Sequence, residues 1–210
     1  MIVNRCTVLA ALAASTIGLS AANADLINIG SETSASEHGL GQFAGTLNYI
    51  SGGANSATII ISLTNTSPVG NGGYLTALAL WHSSNAGLNT VTFVSSSDAN
   101  FGGLAGPVNG APHGSYAAGA STGGGWTGGG SPSAGLAVGE SATFTFSLNG
   151  AGVGLLSAAN FINMNNDHWD LVVRFRGFGN GDSDKVPANP TPGAAALLGL
   201  GGLAAARRRR

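Results

Sequence analysis

The sequence predicts an all-β domain, an antiparallel sandwich of the jelly-roll or immunoglobulin-like kind carrying one long glycine-rich loop. Three observations predict it. Apolar and polar residues alternate with period two in three separate stretches, the signature of strands buried on one face. Proline, glycine and asparagine punctuate the chain between those stretches. Only one short segment, 157–163, suggests a helix, opened by Ser157 as its N-cap.

The clearest strand lies in 56–64, where Ala57, Ile59, Ile61 and Leu63 point one way while Thr58, Ser62 and Thr64 point the other. In 142–148, Ala142, Phe144, Phe146 and Leu148 alternate with Thr143, Thr145 and Ser147. In 169–175, Trp169, Leu171, Val173 and Phe175 oppose Asp170, Val172 and Arg174. Further strands are expected in 42–50, 73–82 and 90–94. The break at Asn65-Thr66-Ser67-Pro68 and the glycines at 70, 72 and 73 are turn chemistry. Six or more short strands favour two sheets packed around a single core.

The segment 102–135 is rich in glycine and poor in large apolar residues, so a long mobile loop is expected there. Within it, Trp126 has the least to pack against of the three tryptophans. It is therefore the candidate glycan contact, because an exposed indole stacks on sugar rings. Trp81 and Trp169 fall in strand patterns and are expected in the core.

The ends of the chain carry addresses. Residues 1–24 contain Arg5, an apolar run from Thr7 to Leu19, and Ala22-Asn23-Ala24, the parts of a secretory signal peptide. Cleavage after Ala24 makes Asp25 the first mature residue. The single cysteine, Cys6, lies inside that signal, which leaves the mature chain without disulfides, a thiol nucleophile or thiolate metal ligands. Residues 25–185 form the passenger domain, with three basic and nine acidic residues and a net charge of −6. An acidic body of this kind excludes nucleic acid as a partner, since phosphate neutralisation needs a basic face.

From residue 186 to 210 the composition changes to a proline-rich stretch, an apolar span and a terminal basic cluster. The prolines are expected to hold the chain extended and to stop any strand. Residues 193–206 are all apolar or glycine, and as a helix they reach only ~21 Å against a hydrocarbon core of ~30 Å. Arg207, Arg208, Arg209 and Arg210 resist translocation and hold this short span in the membrane as a stop.

Motif, short apolar span and arginine cluster occur in that order: Pro190-Thr191-Pro192-Gly193, then 194–206, then the four arginines. This tail resembles a PEP-CTERM sorting domain, with Thr191 where the family most often has glutamate. Val186-Pro187-Ala188-Asn189 is the alternative alignment. The resemblance implies an exosortase-type processing enzyme as partner, transient residence in the inner membrane, and final placement at the surface or in the extracellular matrix of a Gram-negative bacterium that makes exopolysaccharide.

No motif assembles a catalytic constellation. Gly119-Ala120-Ser121-Thr122-Gly123 matches a nucleophile-elbow pattern, which requires a strand before it and a helix after it, but it lies in a glycine-rich tract with no apolar strand expected to lead in. His38, His82, His113 and His168 are scattered, without metal-ligand spacing. Asn180, Asp182 and Asp184 alternate around a glycine as a fragment of a calcium loop, without the bidentate glutamate such a loop needs. The expectation is a non-enzymatic, cofactor-free exported protein, with a carbohydrate-binding module as the alternative.

Overall fold

The computed structural model describes residues 24–80, 88–165 and 168–191 of the chain. Among them run twelve strands: β1 (Ala24–Ser31), β2 (Phe43–Gly53), β3 (Ser56–Asn65), β4 (Gly72–Leu80), β5 (Leu88–Ser96), β6 (Gly102–Asn109), β7 (Ser115–Ser121), β8 (Ser141–Gly150), β9 (Met164–Asn165), β10 (His168–Trp169), β11 (Leu171–Phe178) and β12 (Ser183–Pro190). Ten of these form one antiparallel arrangement in the order β5-β8-β3-β2-β1-β12-β11-β4-β7-β6, and β9 and β10 form a separate small hairpin. The architecture is the all-β antiparallel sandwich that the alternation predicts.

The two strongest alternating stretches are partners. Ile61 faces Phe144, Ile59 faces Phe146 and Ala57 faces Leu148 across β3 and β8. All of these side chains are buried, and fully burying one Ile or Phe contributes ~1.5–3 kcal/mol. On the opposite face the hydroxyls of Ser62 and Thr143 meet at 2.9 Å and those of Thr64 and Ser141 at 2.7 Å, polar cross-strand pairs that hold the same register. Leu75, Leu78 and Leu80 of β4 and Leu171, Val173 and Phe175 of β11 close the core from the second sheet.

β12 joins the two sheets. Its residues up to Pro187 pair with β11, and from Ala188 onward it pairs with β1. The expected passenger boundary at Lys185 therefore falls inside a strand, and the prolines do not stop it. Proline is tolerated where a ladder needs no donor, and Pro187 sits where β12 leaves one ladder for the other. Val186 and Ala188 are core residues, 0% and 1% exposed.

The glycine-rich segment is not a loop throughout. It forms the β6–β7 hairpin, followed by a flap over 122–131. Small residues here permit close approach: a β-carbon on Gly119 would lie 2.5 Å from the Leu78 carbonyl oxygen of neighbouring β4. At the far side of the sandwich, the edges β5 and β6 face each other across a groove of about 270 Å³ lined by Val91, Phe93 and Leu104. The sandwich is thus nearly a barrel.

The expected helix is a four-residue 3-10 turn, Ala158–Phe161. Ser157 precedes it, and the Asn160 side-chain oxygen accepts from the Ser157 backbone N–H at 2.8 Å and from its hydroxyl at 3.0 Å. No helix of the described residues is long and apolar enough to cross a membrane. The signal segment 1–23 and the tail residues Pro192 to Arg210 lie outside the described residues.

Candidate functional site

In a two-layer sandwich the outer face of each sheet ordinarily meets water. On the second sheet it does not. Val172 and Arg174, which alternation assigns to the solvent side of β11, are 0% and 9% exposed. The cover is the 122–131 flap, which leaves β7 with the Thr122 N–H bonded to the Thr76 carbonyl at 3.0 Å. It lays Trp126 on a small second core of Ala77, Ala79, Val108, Tyr116 and Val172. The ring of Tyr116 lies 6.5 Å from that of Trp126.

Cross-strand register defines what lies under the flap. Ser121 is opposite Ala77, Ala77 is opposite Arg174, and Arg174 is opposite Lys185, one row across β7, β4, β11 and β12. Arg176 stands two residues along β11, opposite Ser183. These are the three basic residues between Asp25 and Lys185, and all project from one face of one sheet. Strand parity at 174 and 176, read with the scarcity of other cations, is the signal in the sequence that would have found this cluster.

The three cations are not equivalent. Lys185 bonds both carboxylate oxygens of Glu37, at 3.1 and 3.0 Å. Arg176 donates through Nη1 to the Gly129 carbonyl in the flap at 3.3 Å. Gly128, beside that guanidinium, has φ +97°, a left-handed backbone that favours glycine. Arg174 makes no ion pair among the described residues, and its buried Nε has no hydrogen-bond partner. Burial lowers its pKa, and the neighbouring charge of Arg176 lowers it further. The buried Trp126 Nε1 and Ser121 Oγ are likewise without partners.

The surroundings are tied down by hydrogen bonds. Asp184, fully buried on the core side of β12, accepts from the backbone N–H groups of His38 (3.0 Å), Leu40 (2.7 Å) and Gly41 (2.9 Å) and from the Ser36 hydroxyl. It thereby fixes the loop that carries Glu37. His113, 6% exposed, lies 3.2 Å through Nε2 from the Lys185 carbonyl, and a carbonyl can only accept, so that nitrogen carries a proton. Tyr116 donates its hydroxyl to the His113 carbonyl at 3.1 Å. Burial lowers the pKa of His113 and drives that of Tyr116 above the ordinary phenol range, Asp170 adding to the latter. Beyond Tyr116 an open depression of about 500 Å³ is lined by Gly106, Pro107, Ser115, Ala117 and His168.

Several expected sites take a different form. Trp126 is 6% exposed, buried by its own flap against Tyr116 and the two alanines, and offers no open platform for a sugar ring. Asn180 and Asp182 bond each other at 2.8 Å, whereas Asp184 turns into the core to hold the 36–41 loop, so the three calcium candidates do not converge. Trp169 is half-buried in β10, outside the β11 ladder, its backbone N–H bonded to the His113 carbonyl at 3.3 Å.

Contrary to expectation a strand does lead into the Gly-Ala-Ser-Thr-Gly run: Ser121 ends β7, whose small alanines give little apolar signal, and the chain continues into the flap, not into a helix. His38 contacts the Ser183 carbonyl and His168 the Ser115 carbonyl, each histidine on its own backbone partner. Trp81, His82 and Ala22 lie outside the described residues. Ala24 opens β1 opposite Ile50, and the Asp25 carboxylate accepts from the Ala158 N–H at 2.8 Å.

No protein-family model and no curated protein matches the chain. Among solved structures it is similar to a biomass-sensing module of an Rsgi-like protein of Clostridium thermocellum, described as resembling the family 3 carbohydrate-binding module of the cellulosome, with 14% identity, 82% of this chain and 100% of that one covered, and a TM-score of 0.33.

Proposed function

We propose that the chain is an exported, non-enzymatic surface or matrix protein whose β-sandwich is carried between a cleaved signal and a PEP-CTERM-type sorting tail. One observation carries the reading: β12, the last of the described strands, runs out at the first residue of the motif. Pro190 is the last residue of β12, and the Thr191 N–H still bonds the Asn28 carbonyl of β1 at 2.9 Å. Both residues are exposed, so a processing enzyme could reach this part of the motif without disturbing the core.

The alternative alignment is disfavoured on the same ground. Val186-Pro187-Ala188-Asn189 is interior to β12, with Val186 and Ala188 in the core, and engaging it would require the sheet junction to open. Because β1 and β12 are neighbours, the signal and the tail join the sandwich at adjacent strands. The partners of this reading are an exosortase-type enzyme and, transiently, the inner membrane.

Replacing Arg207 to Arg210 with serine removes the membrane stop. The expected result is loss of the processed form from the cell surface. Unchanged processing and display would contradict the sorting role.

A second reading, a glycan-binding module, is favoured by the cationic face of β11 and β12 beside Trp126 and Tyr116. It requires the full-length chain to be retained on an immobilised polysaccharide. Elution with the void volume from neutral and acidic polymers alike would remove it.

A further inference from the structure

We infer that the covered face of the second sheet holds a recognition site for a carboxylate group, built from Arg174, Trp126 and Ser121. Each of these residues is at least nine-tenths buried, at 9%, 6% and 2% exposed. Each carries a buried polar atom with no partner: Arg174 Nε, Trp126 Nε1 and Ser121 Oγ. Buried polar groups are ordinarily satisfied, and a buried donor left without an acceptor is a costly exception. All three groups can donate hydrogen bonds, so what they lack is an acceptor.

They also belong to one patch. Ser121 and Arg174 flank Ala77 from the two neighbouring strands, and Trp126 packs over Ala77 and Ala79. Small side chains therefore underlie the indole, with donors at the borders of the patch. A guanidinium edge pairs with the two oxygens of a carboxylate in one plane. An indole N–H adds a third donor of fixed direction.

The two neighbouring cations are committed elsewhere, Lys185 to Glu37 and Arg176 to Gly129. Arg174 alone remains to bind an anion. The roof is suited to admit one: the flap holds six glycines between positions 123 and 130, and Arg176 to Gly129 is its bond to β11.

The charge of the whole body narrows the ligand. The net charge of −6 on residues 25–185 repels dense polyanions at range, whereas contacts within the ~8 Å Debye length at physiological salt are set by Arg174 and Arg176. A single carboxylate on an otherwise neutral chain fits this field, and a uronic-acid residue of a polysaccharide is such a group. The polysaccharide assignment rests on the glycan-binding reading above; the carboxylate site does not.

The test is thermal unfolding of the purified full-length chain in sodium glucuronate, with equal concentrations of sodium chloride and of glucose as references. The midpoint should rise in glucuronate only. Arg174→Met should abolish that rise while leaving the ligand-free midpoint equal to or above that of the parent, because it removes a buried donor that has no acceptor. Trp126→Phe keeps a ring in the flap and should raise the glucuronate concentration needed for half the effect at least tenfold.

No glucuronate-specific rise, a rise that survives Arg174→Met, or a large fall in the ligand-free midpoint of that variant would overturn the site. Retention on an immobilised neutral polysaccharide carrying occasional uronic-acid residues, but not on cellulose, extends the assignment to polysaccharide. A response to glucuronate without retention on any polymer keeps the carboxylate site and overturns the glycan reading.

Discussion

Pro187 is the last residue of β12 paired with β11, and Ala188 is the first paired with β1. The link between the two sheets thus passes through a single peptide bond. A chain ending at Lys185 would lose the pairing with β1 together with the buried side chains of Val186 and Ala188. We expect a stability loss of about 4 kcal/mol from lost burial and cavity formation. A chain ending at Thr191 should match the parent in a urea titration.

Asp184 holds three backbone N–H groups on one carboxylate. Asp184→Asn would point an amide donor at donors and leave at least one of them unsatisfied. The expected cost is about 3 kcal/mol, since hydrogen bonds to charged groups contribute ~1.5–3 kcal/mol each. Chemical denaturation gives the size of the loss. Amide exchange at His38, Leu40 and Gly41 should accelerate together, which shows that the loss is local to this loop.

His113 gives the fold a dependence on pH. Burial lowers its folded pKa below the ordinary 6.5, against opposing contributions from its bond to Lys185 and the charges of Glu37 and Asp184. Above that value the ring is neutral in both states. As pH falls below it, the unfolded chain takes up the proton first, so stability declines toward the depressed folded pKa. Denaturation midpoints between about pH 7 and pH 5 should therefore fall. His113→Gln, which can still donate to the Lys185 carbonyl, should flatten that part of the slope.

Gly119 marks the closest approach of β7 to β4. Gly119→Ala would drive a methyl into the Leu78 backbone, which cannot yield as a flexible side chain can. A destabilisation of about 2 kcal/mol is expected from overpacking. Differential scanning calorimetry measures it, and an unchanged midpoint would mean that β7 is not held where the ladder puts it.

The alternation in β3 and β8 was legible because each strand is buried on one face only, which writes period two into the sequence. β6 and β7 were hidden because glycine and alanine carry little hydrophobic signal, although their smallness is what lets the hairpin pack on β4. β12 was hidden because its prolines read as breakers, and only the changeover between two ladders makes room for them. Arg174 and Val172 read as solvent-facing because nothing local announces a flap that returns from 122–131. Trp126 was noticed for its poor surroundings in sequence, yet its packing partners, Tyr116, Ala77 and Val172, come from three different strands.

The central claim is an exported sandwich released from a temporary tail just beyond the end of β12. Intact-mass analysis of the surface-released protein tests it most directly. The account predicts a form that starts at Asp25, keeps β12 through Pro190, and lacks Arg207 to Arg210. A mature form that retains the four arginines, or one cut between Ser183 and Ala188, would contradict it.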